Sequence, residues 1–234
     1  MRFILAISLL LFSLTSVGQL YQEPLLFVTA TPEPDTANAV WDATTKGTAM
    51  YVSANGDTAV NTSATCARAY STFSEGDTAK VYCEIRVWTS GGFMAVGISS
   101  ILTSPNCSTP PADSSQLQWV NNGVLYNSTT AITPNWMTSY VAGDTIMIAV
   151  DYKNGALYMG KNGVWQNNTA NVTGVPTSGA SRTGALISWT PDGRRYYAVC
   201  GFGSPNQYII NTGKYTFGRT PPTGYRAWLD PPPD

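Results

Sequence analysis

The chain has 234 residues, 43% hydrophobic and 12% aromatic, which excludes disorder of the whole chain and supplies the core of one large β domain. Only 12% of residues are charged, 13 basic against 14 acidic, and no basic run is denser than Arg194-Arg195, so nucleic acid is not an expected partner. Histidine is absent, which removes histidine triads, histidine general bases and histidine metal ligands.

Arg2 precedes the apolar run Phe3 to Leu14, and the small residues Ser16 and Gly18 follow. This pattern predicts a signal peptide over 1–18, cut before Gln19, and a secreted or cell-surface protein, with a virion as the alternative location. The run is short for a membrane span, so no stable span is expected after processing. Residues 19–35 carry Pro24, Pro32 and Pro34 and read as a linker or N-terminal arm. At the other end, residues 229–234 read as a Pro-rich tail.

No segment after residue 30 holds a helical period; short β-branched and aromatic runs recur between Gly, Asn, Asp and Pro, the pattern of an all-β sandwich. Met50 to Val52 is the first predicted strand. In Lys80 to Trp88, Val81, Cys83, Ile85 and Val87 share one face, and Tyr82, Glu84, Arg86 and Trp88 the other. Bulk on both faces predicts a central strand covered on both sides. Met94 to Ser99 is expected to return after Gly91-Gly92 as its hairpin partner. Ile101 to Ser115 reads as a long Pro/Ser/Asn loop, and Leu117 to Val120 as the next strand. Thr145 to Gln166 gives the sharpest local pattern. Ile146, Ile148 and Val150 alternate with Met147, Ala149 and Asp151, then Asn154-Gly155 and Asn162-Gly163 make tight turns, so a three-stranded antiparallel meander is predicted. Asp151 is expected to cap the Asn154-Gly155 turn. Gly184 to Trp189, Tyr196 to Phe202 and Tyr215 to Phe217 complete the set. Cys66, Cys83, Cys107 and Cys200 make an even count, which in an exported chain suggests disulfides with three pairings open; Cys83 and Cys200, inside strand-like runs, equally suit buried thiols.

The order of these pieces resembles SPRY domains of phage and bacterial type. Trp41-Asp42-Ala43-Thr44-Thr45-Lys46-Gly47, then Val52-Ser53-Ala54-Asn55-Gly56, resembles the family's opening. Lys80-Val81-Tyr82-Cys83-Glu84-Ile85 is similar to its "GKWYFEV" strand, with Cys83 in place of an aromatic, and Val96-Gly97-Ile98 to its "VGV" return. Gly143-Asp144-Thr145-Ile146 through Asp151, with Asn154-Gly155 and Lys161-Asn162-Gly163-Val164-Trp165, resembles its most recognisable core, and Phe217-Gly218 through Pro221-Pro222-Thr223-Gly224-Tyr225 its phage-type ending. The resemblance covers residues 36–228. It implies a two-sheet antiparallel β-sandwich, a concanavalin-like jelly roll. It also implies a noncatalytic recognition module that binds a protein or carbohydrate ligand through loops at one rim, with no cofactor. A structural or decoration subunit of a phage or virus particle is the alternative reading.

A carbohydrate-active enzyme is the chemical competitor. Retaining glycosidases need two carboxylates about 5 Å apart, which related sandwich enzymes place on one strand as E-x-D-x-x-E. Here Glu84 is followed by Arg86 where the aspartate would stand, and the other glutamates are Glu23, Glu33 and Glu75. No clustered Asp and Asn set suggests calcium, so no metal ligand is assigned. A ligand surface is predicted instead between Gln116 and Gly143. There Trp119, Tyr126, Trp136 and Tyr140 lie in or beside loops and, with Asn121 and Asn122, would form an aromatic-plus-amide surface. Five N-x-S/T sequons occur, at Asn61, Asn106, Asn127, Asn167 and Asn171.

Overall fold

The computed structural model describes residues 37–230 except 75, 77, 101–115, 128–129, 134–136, 167–175, 177–178, 193–195 and 204. The regular structure of the described residues is all β. Period-two alternation gives each strand one face toward an interior, and two such faces close on each other.

The larger sheet has nine strands. Along it run β12 (Val164–Trp165), β11 (Ala156–Lys161), β10 (Thr145–Asp151), β5 (Lys80–Thr89), β15 (Asn206–Asn211), β3 (Thr58–Asn61) and β2 (Met50–Val52). Two short strands join it from the side: β13 (Ile187–Ser188) on β11, and β16 (Arg226–Ala227), which runs parallel, on β5. The smaller sheet runs β4 (Ala67–Tyr70), β14 (Tyr197–Phe202), β6 (Ala95–Ser99), β7 (Gln116–Val120), β8 (Leu125–Asn127) and β9 (Thr130–Thr133). A third pairing joins β1 (Ala37–Asn38) to β17 (Leu229–Asp230), so the first two residues of the expected tail are a strand.

The core lies between the sheets. Val81, Cys83, Ile85 and Val87 face it from β5, Ile146, Ile148 and Val150 from β10, and Val96, Ile98, Leu117, Trp119 and Cys200 from the smaller sheet. On the outer face of β5, Tyr82 packs with Met147, Tyr158 and Tyr225 in a second cluster, so β5 is covered on both sides and lies between β10 and β15 as its sequence predicts. The predicted meander over 145–166 forms, with Ile148 opposite Met159 and Gly160 opposite Trp165; its first connection is the four residues 152–155 rather than Asn154-Gly155 alone. Asp151 accepts from the Asn154 backbone N–H at 3.0 Å and from Asn154 Nδ2 at 2.8 Å, and Gly155 takes φ +65° beyond it.

Three sequence expectations need correction. The segment returning after Gly91-Gly92 is not the hairpin partner of β5: β6 pairs with β14 and β7 in the opposite sheet. Val96 and Ile98 must face the same core as Val81 and Ile85, and a chain crossing from sheet to sheet achieves that without in-plane pairing. Tyr215 to Phe217 is irregular rather than a strand, because Phe217 folds onto Tyr82, with ring centroids 4.9 Å apart. The disulfide expectation also narrows. Cys83 and Cys200 are buried free thiols, and each of the three complete pairings requires both, so none forms. Cys107 lies outside the described residues.

Candidate interaction rim

One end of the sandwich gathers four connections: Ser90 to Met94 between β5 and β6, Asn121 to Val124 between β7 and β8, Met137 to Asp144 before β10, and Gly203 with Pro205 between β14 and β15. Two asparagine side chains bind them. Asn121 Nδ2 donates to Gly92 O at 2.9 Å, and its Oδ1 accepts from Met94 N at 3.2 Å. Asn206 Oδ1 accepts from Gly91 N at 2.8 Å, and its Nδ2 donates to Phe93 O at 2.9 Å. Backbone bonds from Tyr140 N to Asn121 O (3.0 Å) and from Met137 N to Gly123 O (3.1 Å) attach the third connection. Backbone polar groups that a mobile loop would leave to water are thus paired within the rim.

Tyr140 lies beneath these loops. Its hydroxyl points at Met94 O (3.1 Å) and Trp119 O (2.9 Å), and its ring meets Trp119 edge-on at 5.3 Å. Burial, with the Cys200 side chain nearby, holds its phenol well above the ordinary value, so it stays a neutral donor. The last turn of the rim is anchored from outside. Asp144 Oδ2 accepts from Val141 N at 2.9 Å, Asp144 Oδ1 accepts from Asn162 Nδ2 at 2.6 Å, and Lys161 Nζ stands 3.7 Å from Asp144 and donates to Ser139 O at 2.7 Å.

The predicted ligand residues differ in where the structure places them. Trp119 and Tyr140 are buried to 0% and 1% exposure, so they are no contact surface; the correction follows from their rings filling the core end that the rim closes. Asn121 is spent on Gly92 and Met94. Asn122 is exposed but accepts from Val124 N at 3.1 Å, and Tyr126 is half-buried against Ala95 and Val120 on the far side of the smaller sheet. Trp136 lies outside the described residues. The structure therefore joins Trp119, Asn121, Asn122 and Tyr140 at one rim and leaves Tyr126 off it.

What the rim shows to solvent was not singled out in the sequence. Phe93 is 59% exposed, Val141 60% and Trp88 49%. Bonds from Gly143 N to Val87 O and from Val87 N to Asp144 O hold the Val141 turn beside the end of β5, and the Arg86 guanidinium covers one side of Trp88, 4.7 Å from the ring centroid. Their signal was the bulky residue next to Gly91-Gly92 and Gly143, where a turn has no second layer to cover it.

Glu84, the one strand glutamate among the described residues, anchors a loop here. It accepts from Tyr82 OH (2.9 Å), Gly218 N (2.9 Å) and Arg219 N (2.7 Å), fixing the loop that carries Phe217 over β5. Among the described residues no group of three or more His, Cys, Asp or Glu side chains is placed to hold a metal ion.

No protein-family model matches the chain, and no curated protein matches it. Solved structures do. The chain is similar to the SPRY domain of human HERC1, with a TM-score of 0.56 and 15% identity over 75% of this chain and 99% of that one. It is also similar to a human SPRY domain (TM-score 0.51, 17% identity, 73% of this chain and 98% of that one). The PSpry domain of TRIM65 gives 0.50 and 12% over 74% and 92%. The fold is thus a SPRY-type β-sandwich; at these identities the likeness carries fold alone.

Proposed function

We propose that this chain is an exported, noncatalytic recognition module that binds a protein partner through the rim described above. The observation that carries the reading is the exposure of Phe93 and Val141 on connections whose backbone is already fixed by Asn121, Asn206 and Tyr140, and of Trp88 at the end of β5. A rigid apolar platform loses little entropy on binding, and exposed aromatics lead interface hot spots. In this reading Trp119, Asn121 and Tyr140 position the rim rather than touch the partner, and Asn122 stands at its margin. Export rests on the Arg2-led apolar run and its small-residue end. Rim recognition is also what the SPRY resemblance implies. Whether the module acts at a cell surface or on a virion is decided by where the mature protein is found.

The test is a Trp88→Ala/Phe93→Ala double variant in a capture and glycan-array screen beside the parent chain. The parent is expected to retain a protein ligand and the variant to lose at least tenfold in affinity at an unchanged melting temperature. Equal binding by both, or retention of glycans alone, rejects the proposal.

A further inference from the structure

The outer face of the larger sheet is covered over one half only. Phe217 and Tyr225 pack with Tyr82, Met147 and Tyr158 where β5, β10 and β11 meet. On the other half, register and alternation bring a second set of side chains to the outer surface. Tyr51 of β2 stands opposite Val60 of β3, Thr58 opposite Ile209 of β15, and Ile209 opposite Arg86 of β5, with Trp88 two residues further toward the rim. The residues between them, Ala59, Tyr208, Ile210, Ile85 and Val87, face the core. Tyr51 is 55% exposed and Trp88 49%, while Val60 and Ile209 are half-buried and belong to no apolar cluster. Neighbouring strands lie about 4.8 Å apart, so the strands carrying the two exposed rings, three steps from each other, are about 14 Å apart.

Among the strand residues of this open half, Arg86 is the one charged side chain. Its guanidinium lies 4.7 Å from the Trp88 ring centroid, and no carboxylate of the described residues is within ion-pair distance of it. The acids around it are engaged elsewhere. Glu84 accepts from Tyr82 OH and from the Gly218 and Arg219 N–H groups, Asp144 is held by Asn162 and Lys161, and Asp57 by Tyr215 OH and Lys214. A group that covers Trp88 also covers the guanidinium stacked on it. Taking an unpaired guanidinium out of water is costly, so the covering group must bring a carboxylate. Stacking on the ring holds the guanidinium fork in place, and that fork matches a carboxylate through two parallel N–H···O bonds.

We propose that this half-face takes an extended acidic segment of a partner protein, with its carboxylate on Arg86 and apolar side chains to either side, against Trp88 and across Val60 to Tyr51. About four extended residues span the 14 Å between the two rings' strands. The inference rests on the rim reading for Trp88 and adds the partner's chemistry and the surface over which its chain leaves the rim. Arg86 also acts as a filter, because a segment with Lys or Arg in place of the acid meets a like charge. A second copy docking by the same face would bring another Arg86 and no acid, so complementarity points to a different protein.

The test is selection of a displayed library of random dodecapeptides on the purified full-length chain, beside a glycan array, with Arg86→Gln, Arg86→Glu, Tyr51→Ser and Trp88→Ala/Phe93→Ala for comparison. The parent is expected to enrich, over the unselected library, peptides with Asp or Glu within about four residues of an aromatic or branched apolar residue. A synthetic copy of the most enriched peptide should bind Arg86→Gln at least tenfold more weakly at an unchanged melting temperature, and Tyr51→Ser about threefold more weakly. A copy with its acid changed to Lys should bind Arg86→Glu better than it binds the parent. Enrichment without acidic residues, equal binding by Arg86→Gln, or no enrichment at all overturns the proposal. So does a parent dimer broken by Tyr51→Ser, or binding confined to carboxylate-bearing glycans. The rim reading fails separately: it falls if Trp88→Ala/Phe93→Ala keeps the parent's ligand, and it survives if that variant loses peptides that carry no acid.

Discussion

Tyr140 and Trp119 show how a single buried hydroxyl organises a loop end. The Tyr140 O–H faces two carbonyls, Met94 O just ahead of β6 and Trp119 O in β7, where burial excludes water. Removing it while keeping the ring isolates that contribution. Tyr140→Phe retains the edge-on contact with Trp119 and removes the phenol donor from Trp119 O and from Met94 O, which keeps the Asn121 N–H at 3.0 Å, a loss of about 1–2 kcal/mol. Tyr140→Ala also empties the ring's volume and should cost about 3–5 kcal/mol. Urea denaturation of the two variants reads both numbers. If Phe and Ala cost the same, the hydroxyl would carry the whole effect and the ring packing none. Sequence reasoning chose both residues for the rim and misjudged their direction, because an aromatic beside a turn is equally suited to capping a core from within or meeting a ligand from without. Burial decides between them, and burial depends on the opposite sheet.

At the scale of elements, the turn between β7 and β8 shows what the local sequence does specify. Asn121-Asn122-Gly123 closes the hairpin with Gly123 at φ +89°, and a Cβ placed there would run into Met137 O. Gly123→Ala therefore meets both a backbone conformation that L-residues avoid and a steric clash with the next rim connection. It should cost about 1–3 kcal/mol, and fluorescence-monitored unfolding against the parent checks it. Gly143→Ala is the control, because Gly143 has φ +93° but nothing within 4 Å of its Cβ position, so only the conformational cost remains. The meander over 145–166 was legible because alternation and two Asn-Gly turns lie within one short window. β15 was not legible: Asn206, Gln207 and Asn211 break its apolar pattern, and Tyr208 and Ile210 become core residues only through long-range pairing with β3 and β5. The placement of β6 failed for the same reason, since a Gly-Gly connection reads the same whether the chain turns within a sheet or crosses to another. The exposed Trp88, Phe93 and Val141 went unread because exposure, like pairing, is set by what packs opposite.

The molecule as a whole carries its own probe of cooperativity. Cys83 faces the core from the larger sheet and Cys200 from the smaller one, and both lie fully buried in the same cluster. Burial pushes both thiols well above their ordinary value, Cys83 further through the Glu84 carboxylate beside it, so neither offers a thiolate to a reagent at neutral pH in the folded state. Labelling of either must await separation of the sheets. If the sandwich opens in one step, an alkylating reagent under exchange conditions should modify Cys83 and Cys200 at the same rate. That rate should follow the denaturant dependence of global unfolding. A faster rate at Cys200 would mean that the smaller sheet frays alone, with the strand pairs around β5 still closed.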